Sequence, residues 1–561
     1  MRLHHINYNM LGMLFAALAF AACADEWDDH YNPSTQASQS IWQVIQQNSE
    51  LSNFARVVQA TGYDAALSSS QMFTVFAPTN SAFSSEEADQ LIAAYQKEKA
   101  LQVRDKENST IKEFIQNHIA LYNYSTSSLS NDSIVMMNGK YMVLTPDKLG
   151  DMPIASANQM TTNGVLFTLS KKADYFRNVF EWLRFDPELD SLANFLYAFN
   201  HDEFIPEQSV PGGIVDGKTV YLDSVTVLYN DLFYGRGGVG RINSEDSTYW
   251  MVAPTNRVWN ELVEEYTPYF NYGNNVEKRD SMQWANTRLA IVKGTVFSRT
   301  RNTDQALLDS AMSINAVEYA NRKYYYGSNN LAYYQYYKPF EPGGIFTGTV
   351  NTDCSNGMVM KSDDWKIDKT QTFYQTIYNE AESRAVMKEV NENNTATPSF
   401  GVVETTNPFY NKVSENQFAI ISPLGATNPE VVYYLKDLLS NIDYDVYLVM
   451  VPAVAGDTLV AETQRRPCKF RCSYKYLEQD GKEVKDSVIM TPPGNTYFTT
   501  NPEVVDTVFL GTVRVPTCSY GLVEPTVTLR IASNLTNRER RENTYTQILR
   551  IDCIIVKPHE Q

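Results

Sequence analysis

The chain is 561 residues long, with a formal net charge of −18 and an isoelectric point near 4.9. That acidic balance excludes a nucleic-acid partner, which needs a basic stripe, and disfavours electrostatic attachment to anionic lipid. The length exceeds what one hydrophobic core supports, so several domains are expected, and the 43% hydrophobic, 20% charged composition is that of soluble globular domains.

At the amino terminus, Arg2 precedes an apolar run from Met10 to Ala22 that ends at Cys23. The run is too short to span a bilayer, which takes about 20 residues, and fits the apolar centre of a signal peptide. Phe20-Ala21-Ala22-Cys23 resembles a lipobox, with Phe where Leu is usual. The resemblance implies that residues 1–22 are removed and that Cys23 is acylated, anchoring the chain to the outer membrane. No later stretch approaches membrane-spanning length. Residues 23–38 read as a solvated tether, because Asp25, Glu26, Asp28 and Asp29 cannot bury against a core. This acidic cluster resembles the export signal behind the lipidated Cys of surface-exposed lipoproteins in one Gram-negative group, which implies a position facing the cell exterior. A plain polar linker facing the periplasm is the alternative.

An internal repeat follows. Residues 41–58 align without gaps on residues 179–196, both with apolar residues three and four apart, the mark of an amphipathic helix. Asn48-Ser49-Glu50 and Asp186-Pro187-Glu188 interrupt the two copies at the same place, where a capping residue starts a second helix. Further on, Phe73-Thr-Val-Phe-Ala-Pro-Thr-Asn-Ser-Ala-Phe83 matches Tyr249-Trp-Met-Val-Ala-Pro-Thr-Asn-Arg-Val-Trp259. The offset between copies grows from 138 to 176 residues, so copy two carries a 38-residue insertion. Each match predicts a buried strand that stops at Pro78 or Pro254. A helix follows, capped by Thr79 or Asn80 in the first copy and by Thr255 or Asn256 in the second.

The strand ending in Ala77-Pro78-Thr79-Asn80, with its counterpart Ala253-Pro254-Thr255-Asn256, resembles the first signature of fasciclin domains. Thr162-Asn163-Gly164-Val165-Leu166 looks like the second signature, and Ser355-Asn356-Gly357-Met358-Val359 is its weaker form. Between the signatures the family has a Tyr-His pair. The first copy keeps the His, at Asn117-His118, and the second keeps neither residue. The resemblance implies a fold for roughly residues 40–365 and an adhesion or binding role, not a reaction. Physically, Asn163-Gly164 suits a tight turn with positive φ. His118 reads as a partly buried histidine satisfied by backbone, with a functional role as the alternative.

Between the second copy and the rest of the chain, Tyr324, Tyr325, Tyr326, Tyr333, Tyr334, Tyr336 and Tyr337 sit among Gly and Asn. Exposed, they would form a contact surface for a glycan or peptide ligand; turned inward, they would cover the core of copy two. From about residue 370, β-branched and aromatic runs separated by Gly, Pro, Asn and Asp predict an all-β sandwich. These runs are 418–421, 444–451, 469–476, 507–510, 527–531 and 548–556. Glu380-Ala381-Glu382 and the closing residues 549–558 resemble jelly-roll carbohydrate-binding modules. No Trp follows Trp365, so sugar stacking there would fall to Tyr or Phe.

No nucleophile elbow, phosphate-binding loop, dinucleotide fingerprint or zinc-protease motif occurs, so no catalytic, cofactor-binding or metal residue is assigned. Cys354, Cys468, Cys472, Cys518 and Cys553 are an odd set, read mainly as small buried hydrophobes with one or two bridges at most. Asp followed by Ser or Thr and then an apolar residue or Thr recurs far beyond what composition gives. It resembles the O-glycosylation acceptor of some Gram-negative envelope proteins, which points to Ser133, Ser224, Ser247, Ser281, Ser310, Thr458, Ser487 and Thr507. The Asp190-Ser191 instance reads as a helix start.

The expected architecture is a multidomain α+β and all-β chain. Two fasciclin-like α/β domains at 39–177 and 178–368 are followed by a jelly-roll-like β-sandwich at 369–561. The expected function is that of a non-enzymatic cell-surface lipoprotein in adhesion, or an accessory binding subunit of an outer-membrane nutrient importer. Direct glycan capture is the alternative, and a glycan-cleaving hydrolase a more remote one.

Overall fold

The computed structural model describes residues 38–559, except 126–130, 205–209, 216–217, 224–225, 235–237, 315–333 and 523. The chain forms two compact units, residues 1–176 and 177–561.

In the first unit, Ser40 caps the helix Ile41–Gln47 through a reciprocal hydrogen-bond pair with Gln43, and Asn48 accepts from the Glu50 amide to start the next turn. The strand Phe73–Pro78 lies inside a seven-stranded sheet, parallel to Gly164–Leu169 on one side and antiparallel to the short Ile119–Ala120 on the other. The sheet continues through Met152–Thr161, Lys148–Leu149 and Tyr141–Leu144 to Asp132–Val135. A bridge between Ala120 and Met136 joins its two edges. Every residue of Phe73–Pro78 is buried because the strand feeds two cores. Phe73, Val75 and Ala77 pack under the helices with Ile45, Phe54 and Phe114, while Phe76 meets Val165 and Phe167 on the opposite face. An unbroken apolar run rather than an alternating one is the consequence.

The second unit begins in the same way. Asn178 caps Val179–Phe185, and Asp186 starts the turn Pro187–Leu189. Tyr249–Pro254 runs parallel to Gly357–Ser362, pairing Tyr249 with Gly357 as Phe73 pairs with Gly164. Val296–Ser298 and Val350–Cys354 complete a four-stranded sheet. The expected insertion forms a two-stranded ribbon, in which Asn200–Phe204 pairs with Thr226–Asn230 and Val210–Val215 with Lys218–Asp223.

Two six-stranded antiparallel sheets make up the rest. One runs Ser399–Val402, Gln417–Ile421, Leu549–Pro558, Asp443–Met450 and Asp506–Arg514, with Ile377–Glu380 also on the long closing strand. The other runs Met387–Val390, Glu430–Leu435, Val527–Ser533, Lys469–Tyr476 and Val488–Met490, with Phe498–Thr499 added. Val446, Leu448 and Ile554 of the first face Tyr433, Leu529 and Ile531 of the second across one sandwich-like core. Each of the six β runs expected here contains or overlaps one of these strands. Cys468, Cys472, Cys518 and Cys553 are buried thiols rather than disulfide halves.

This sandwich is not separated from the preceding sheet. The turn Thr267–Phe270 and the residues after it are sewn into it. The Asn271 amide group donates to Gln479 Oε1 and the Pro516 carbonyl, Tyr272 Oη donates to the Tyr520 carbonyl, and Ser440 Oγ donates to the Pro268 carbonyl. Phe373 sits fully buried against Tyr266, Tyr269 and Phe270, so the apolar cluster runs on from one part to the other.

Candidate functional site

The repeated motifs are structural. Asn163 Oδ1 accepts from the Ile41 amide at 2.9 Å, and its Nδ2 donates to the Leu67 and Ser69 carbonyls. Asn356 does the same in the second unit, accepting from Val179 at 2.8 Å and donating to Ile242 and Ser244. Each buried Asn thus ties the helix start, a loop and the sheet together. The following Gly164 and Gly357 have φ of 140° and 145°, and a Cβ there would lie 1.8 Å and 1.7 Å from the carbonyl oxygens of Phe73 and Tyr249. Asn80 and Asn256 form a second matched pair, accepting from the Asn53 and Ser191 amides and donating to the Ser49 and Pro187 carbonyls. Because Asn80 is used this way, it caps no helix. The helix Ser85–Ala100 is capped by Ser84, with Glu87 reciprocating. Thr255 stands at the cap position of Asn256–Tyr266, but its hydroxyl donates to Asp363 instead.

His118 is fully buried. Its Nδ1 lies 2.7 Å from the Phe114 carbonyl, and Nε2 accepts from the Ala173 amide at 3.1 Å. Burial pushes its pKa down to about 4, so it is a neutral packing residue.

Of the described residues of the tyrosine run, Tyr334 and Tyr336 are buried and Tyr337 is exposed, at 68%. The contact-surface reading is therefore corrected for Tyr334 and Tyr336. Alternation on the strand Gln335–Tyr337 turns Tyr336 against Phe297. Tyr324, Tyr325, Tyr326 and Tyr333 lie outside the described residues, as do Cys23, Asp25, Glu26, Asp28, Asp29 and Ser224. Ser133, Ser281, Thr458, Ser487 and Thr507 are exposed, and Ser247 is half-buried. Ser310 is corrected as an acceptor: it is buried in a strand, with its oxygen bonded to Gln335.

The site that sequence reasoning did not assign is a cleft of about 1300 Å³ on the outer face of the first sandwich sheet. Its floor is Tyr378, Ile555, Val449, Cys553 and Thr507. Strand pairing sets Tyr378, Ile555, Tyr447 and Phe509 in one row across that face, with the last two rings 5.2 Å apart. One wall is the loop 409–416, the other Glu503 to Val505. A small separate core of Val403, Val413, Phe418, Val451 and Ala455, with Phe409 and Val505 packed on it, holds both walls. Asn411, Glu415 and Asn416 adopt positive φ, a conformation that costs non-glycine residues energy and shapes this wall. Lys412 and Glu415 bring opposite charges to the rim, while Glu503 pairs with Arg465 at 3.2 Å.

Beneath the loop, the Ser414 amide donates to both Asp552 oxygens at 3.0 and 3.1 Å, and its hydroxyl donates to Glu380 at 2.6 Å. An extra residue in the closing strand, between Ile551 and Ile554, shifts the register there and lets Asp552 and Cys553 share one side. Ligand atoms of Glu380, Asp552 and Cys553 lie within 4.8 Å of one another. The carboxylates are hard oxygen donors of the kind Ca²⁺ or Mg²⁺ takes, and the thiol is a poor match for either. Burial raises the Glu382 carboxyl to about 7, with Glu380, Asp552 and Glu415 adding repulsion. The signal for this group was present in Glu380-Ala381-Glu382, whose value as a cluster depends on a strand more than 160 residues away.

Comparison with known proteins bears on the first unit. Residues 49–172 match the model of the fasciclin domain family. That stretch is a fasciclin-like domain. A solved pair of such domains, from the insect cell adhesion molecule Fasciclin I, is similar at 13% identity over 58% of this chain and 99% of that one, with a TM-score of 0.20. The family 22 carbohydrate-binding module of Clostridium thermocellum Xyn10B is similar at 10% identity, covering 31% of this chain and 95% of that one, with a TM-score of 0.18. A family 35 module from the same organism gives 14%, 32%, 97% and 0.15 in the same order. At such scores none of the three decides what this chain binds. No curated protein matches significantly. The fasciclin domain points to a role in adhesion or binding.

Proposed function

We propose that this chain is a non-enzymatic binding protein of the cell surface, lipid-anchored at Cys23, that takes a glycan into the cleft of its C-terminal sandwich. The observation that carries the reading is the lining of that cleft. The aromatic side chains of Tyr378 and Phe409 line it together with Asn411, Lys412, Glu415, Asn416 and Thr507. Sugars present apolar ring faces edged by hydroxyls, and such a mixed lining suits them. Residues 178–368 are read as a second, divergent fasciclin domain, supported by the matched Asn and Gly contacts, and residues 369–561 as a jelly roll.

Titrating the purified protein with a panel of soluble polysaccharides tests the reading. Tyr378→Ala should weaken the best ligand at least tenfold with melting unchanged, since the Tyr378 ring lines the cleft without belonging to the small core that holds its walls. Unchanged affinity removes the cleft from consideration. Turnover of a glycan, abolished by Glu415→Gln or Glu503→Gln, would replace it with the hydrolase reading.

A second reading, an accessory subunit beside an outer-membrane nutrient importer, rests on the lipobox and the acids behind it. Cys23→Ala should release the protein from membranes, since acyl burial contributes about 0.8 kcal/mol per CH₂. Replacing Asp25, Glu26, Asp28 and Asp29 with Ala should leave it lipidated but shielded from protease on whole cells. Co-purification with an importer, without glycan binding by the isolated protein, would favour this reading.

A further inference from the structure

Beside the cleft, the segments 450–453, 466–468, 500–502 and 546–550 enclose a small recess of about 20 Å³. Arg466 and Arg550 both line it, and no Asp or Glu does. Among the described residues, neither Arg466 nor Arg550 forms an ion pair, and Asp506, which does not line the recess, accepts from the Asn501 backbone amide at 2.7 Å. Both side chains are partly buried. Burial lowers the pKa of Arg550, whose near neighbour is the thiol of Cys468. Partly desolvated cations are normally matched by an anion, because leaving charge uncompensated away from water is costly.

The other polar groups lining the recess can donate as well. Thr500 Oγ1 accepts from the Cys468 amide and Thr546 Oγ1 from the Ile548 amide, which leaves each hydroxyl hydrogen to donate. Asn501 Oδ1 accepts from the Glu503 amide, so its amide hydrogens remain as donors. The parallel bridge between Cys468 and Thr546, and the bond from the Thr500 amide to the Cys468 carbonyl, fix these three segments against one another.

We infer that Arg466 and Arg550, with the hydroxyls of Thr500 and Thr546, form a binding site for a single oxyanion group, such as a sulfate or carboxylate. The volume admits about one water-sized atom, so one oxygen of the anion enters while the rest stays at the mouth. Planar guanidinium forks suit the paired oxygens of such groups. The site is separate from the proposed glycan contacts at Tyr378 and Phe409 and does not depend on them.

The test is titration of the full chain with sodium sulfate and with sodium glucuronate, at ionic strength held constant with sodium chloride and followed by calorimetry. Saturable binding is expected, weakened at least tenfold in Arg466→Gln and in Arg550→Gln. Arg466 belongs to no strand, so its variant guards against misfolding of the more central Arg550 variant. Glucuronate competing with sulfate identifies a carboxylate-bearing ligand, and sulfate binding alone a free inorganic anion; either supports the site. Absence of saturable binding by both, or equal affinity in Arg466→Gln and wild type, overturns it.

Discussion

At the scale of single residues, His118 makes a quantitative prediction. Its pKa is about 4 when folded and 6.5 when free, so between these values the unfolded chain binds the extra proton. Its contribution to stability is therefore complete above pH 6.5 and is lost as pH falls towards 4, by about 1.4 kcal/mol per pH unit. Hydrogen exchange of the peptides around Phe114 and Ala173 should follow that slope, and His118→Gln should flatten it. A wild type whose protection is level from pH 6.5 to 4 would contradict the neutral, doubly bonded ring. The backbone-satisfied state of His118 was legible from its place in the helix-to-strand segment of the fasciclin resemblance, though not its complete burial. The burial of Tyr334 and Tyr336 was not. A tyrosine among Gly and Asn looks the same whether a three-residue strand turns it inward or outward.

Among elements, the helix Asn537–Glu542 shows how a charged segment is held on an apolar sheet. Lys469, almost wholly buried in its strand, donates to Glu539 at 2.6 Å and lies over the rings of Tyr497 and Tyr545. Hydrogen bonds from Lys469 and the Thr536 amide depress the Glu539 carboxyl to about 2. This folded pKa lies below the unfolded value near 4.5, so the stabilisation is present above that value and disappears as pH falls through about 2. Glu539→Gln should cost about 2 kcal/mol at neutral pH, because Lys469 would stay buried without its counter-charge. Replacing Lys469 by Met as well should recover much of the loss. Urea unfolding of both variants measures it, and a Glu539→Gln protein as stable as wild type would show the pair to be idle. The helix Asn537–Glu542 was not foreseen, whereas the repeated helix starts and the six late β runs could be read from periodicity and capping residues. The cleft could not, since it is assembled from two loops and a strand row whose members lie far apart in sequence.

For the whole molecule, the repeat was readable and the grouping of its parts was not. Two aligned blocks with Asn-Gly behind them announced a duplication, but nothing in residues 267–275 signalled that they would be bound into the sandwich. Calorimetry of the full chain should show two cooperative transitions, one for each unit. Gly164→Ala, forcing a Cβ into the Phe73 carbonyl, should destabilise the smaller unit by more than about 2 kcal/mol and leave the other unchanged. Gly357→Ala should lower the melting of the sandwich as well, because one apolar cluster joins it to the sheet that holds Gly357. A sandwich that melts as before in Gly357→Ala would mean that the shared cluster transmits little. The binding of Pro268 through Asn274 into the sandwich also has a mechanical side. Anchored at the cell surface as proposed, the chain would be loaded along its length by flow, and the weak points of a multidomain chain are its hinges. Here the boundary expected at 368–369 is bridged by the buried ring of Phe373 and by hydrogen bonds from Asn271, Tyr272 and Ser440. Pulled from its ends, the chain should therefore yield in two steps, the second releasing roughly twice the length of the first or more, and the cleft should keep its shape until the last of them.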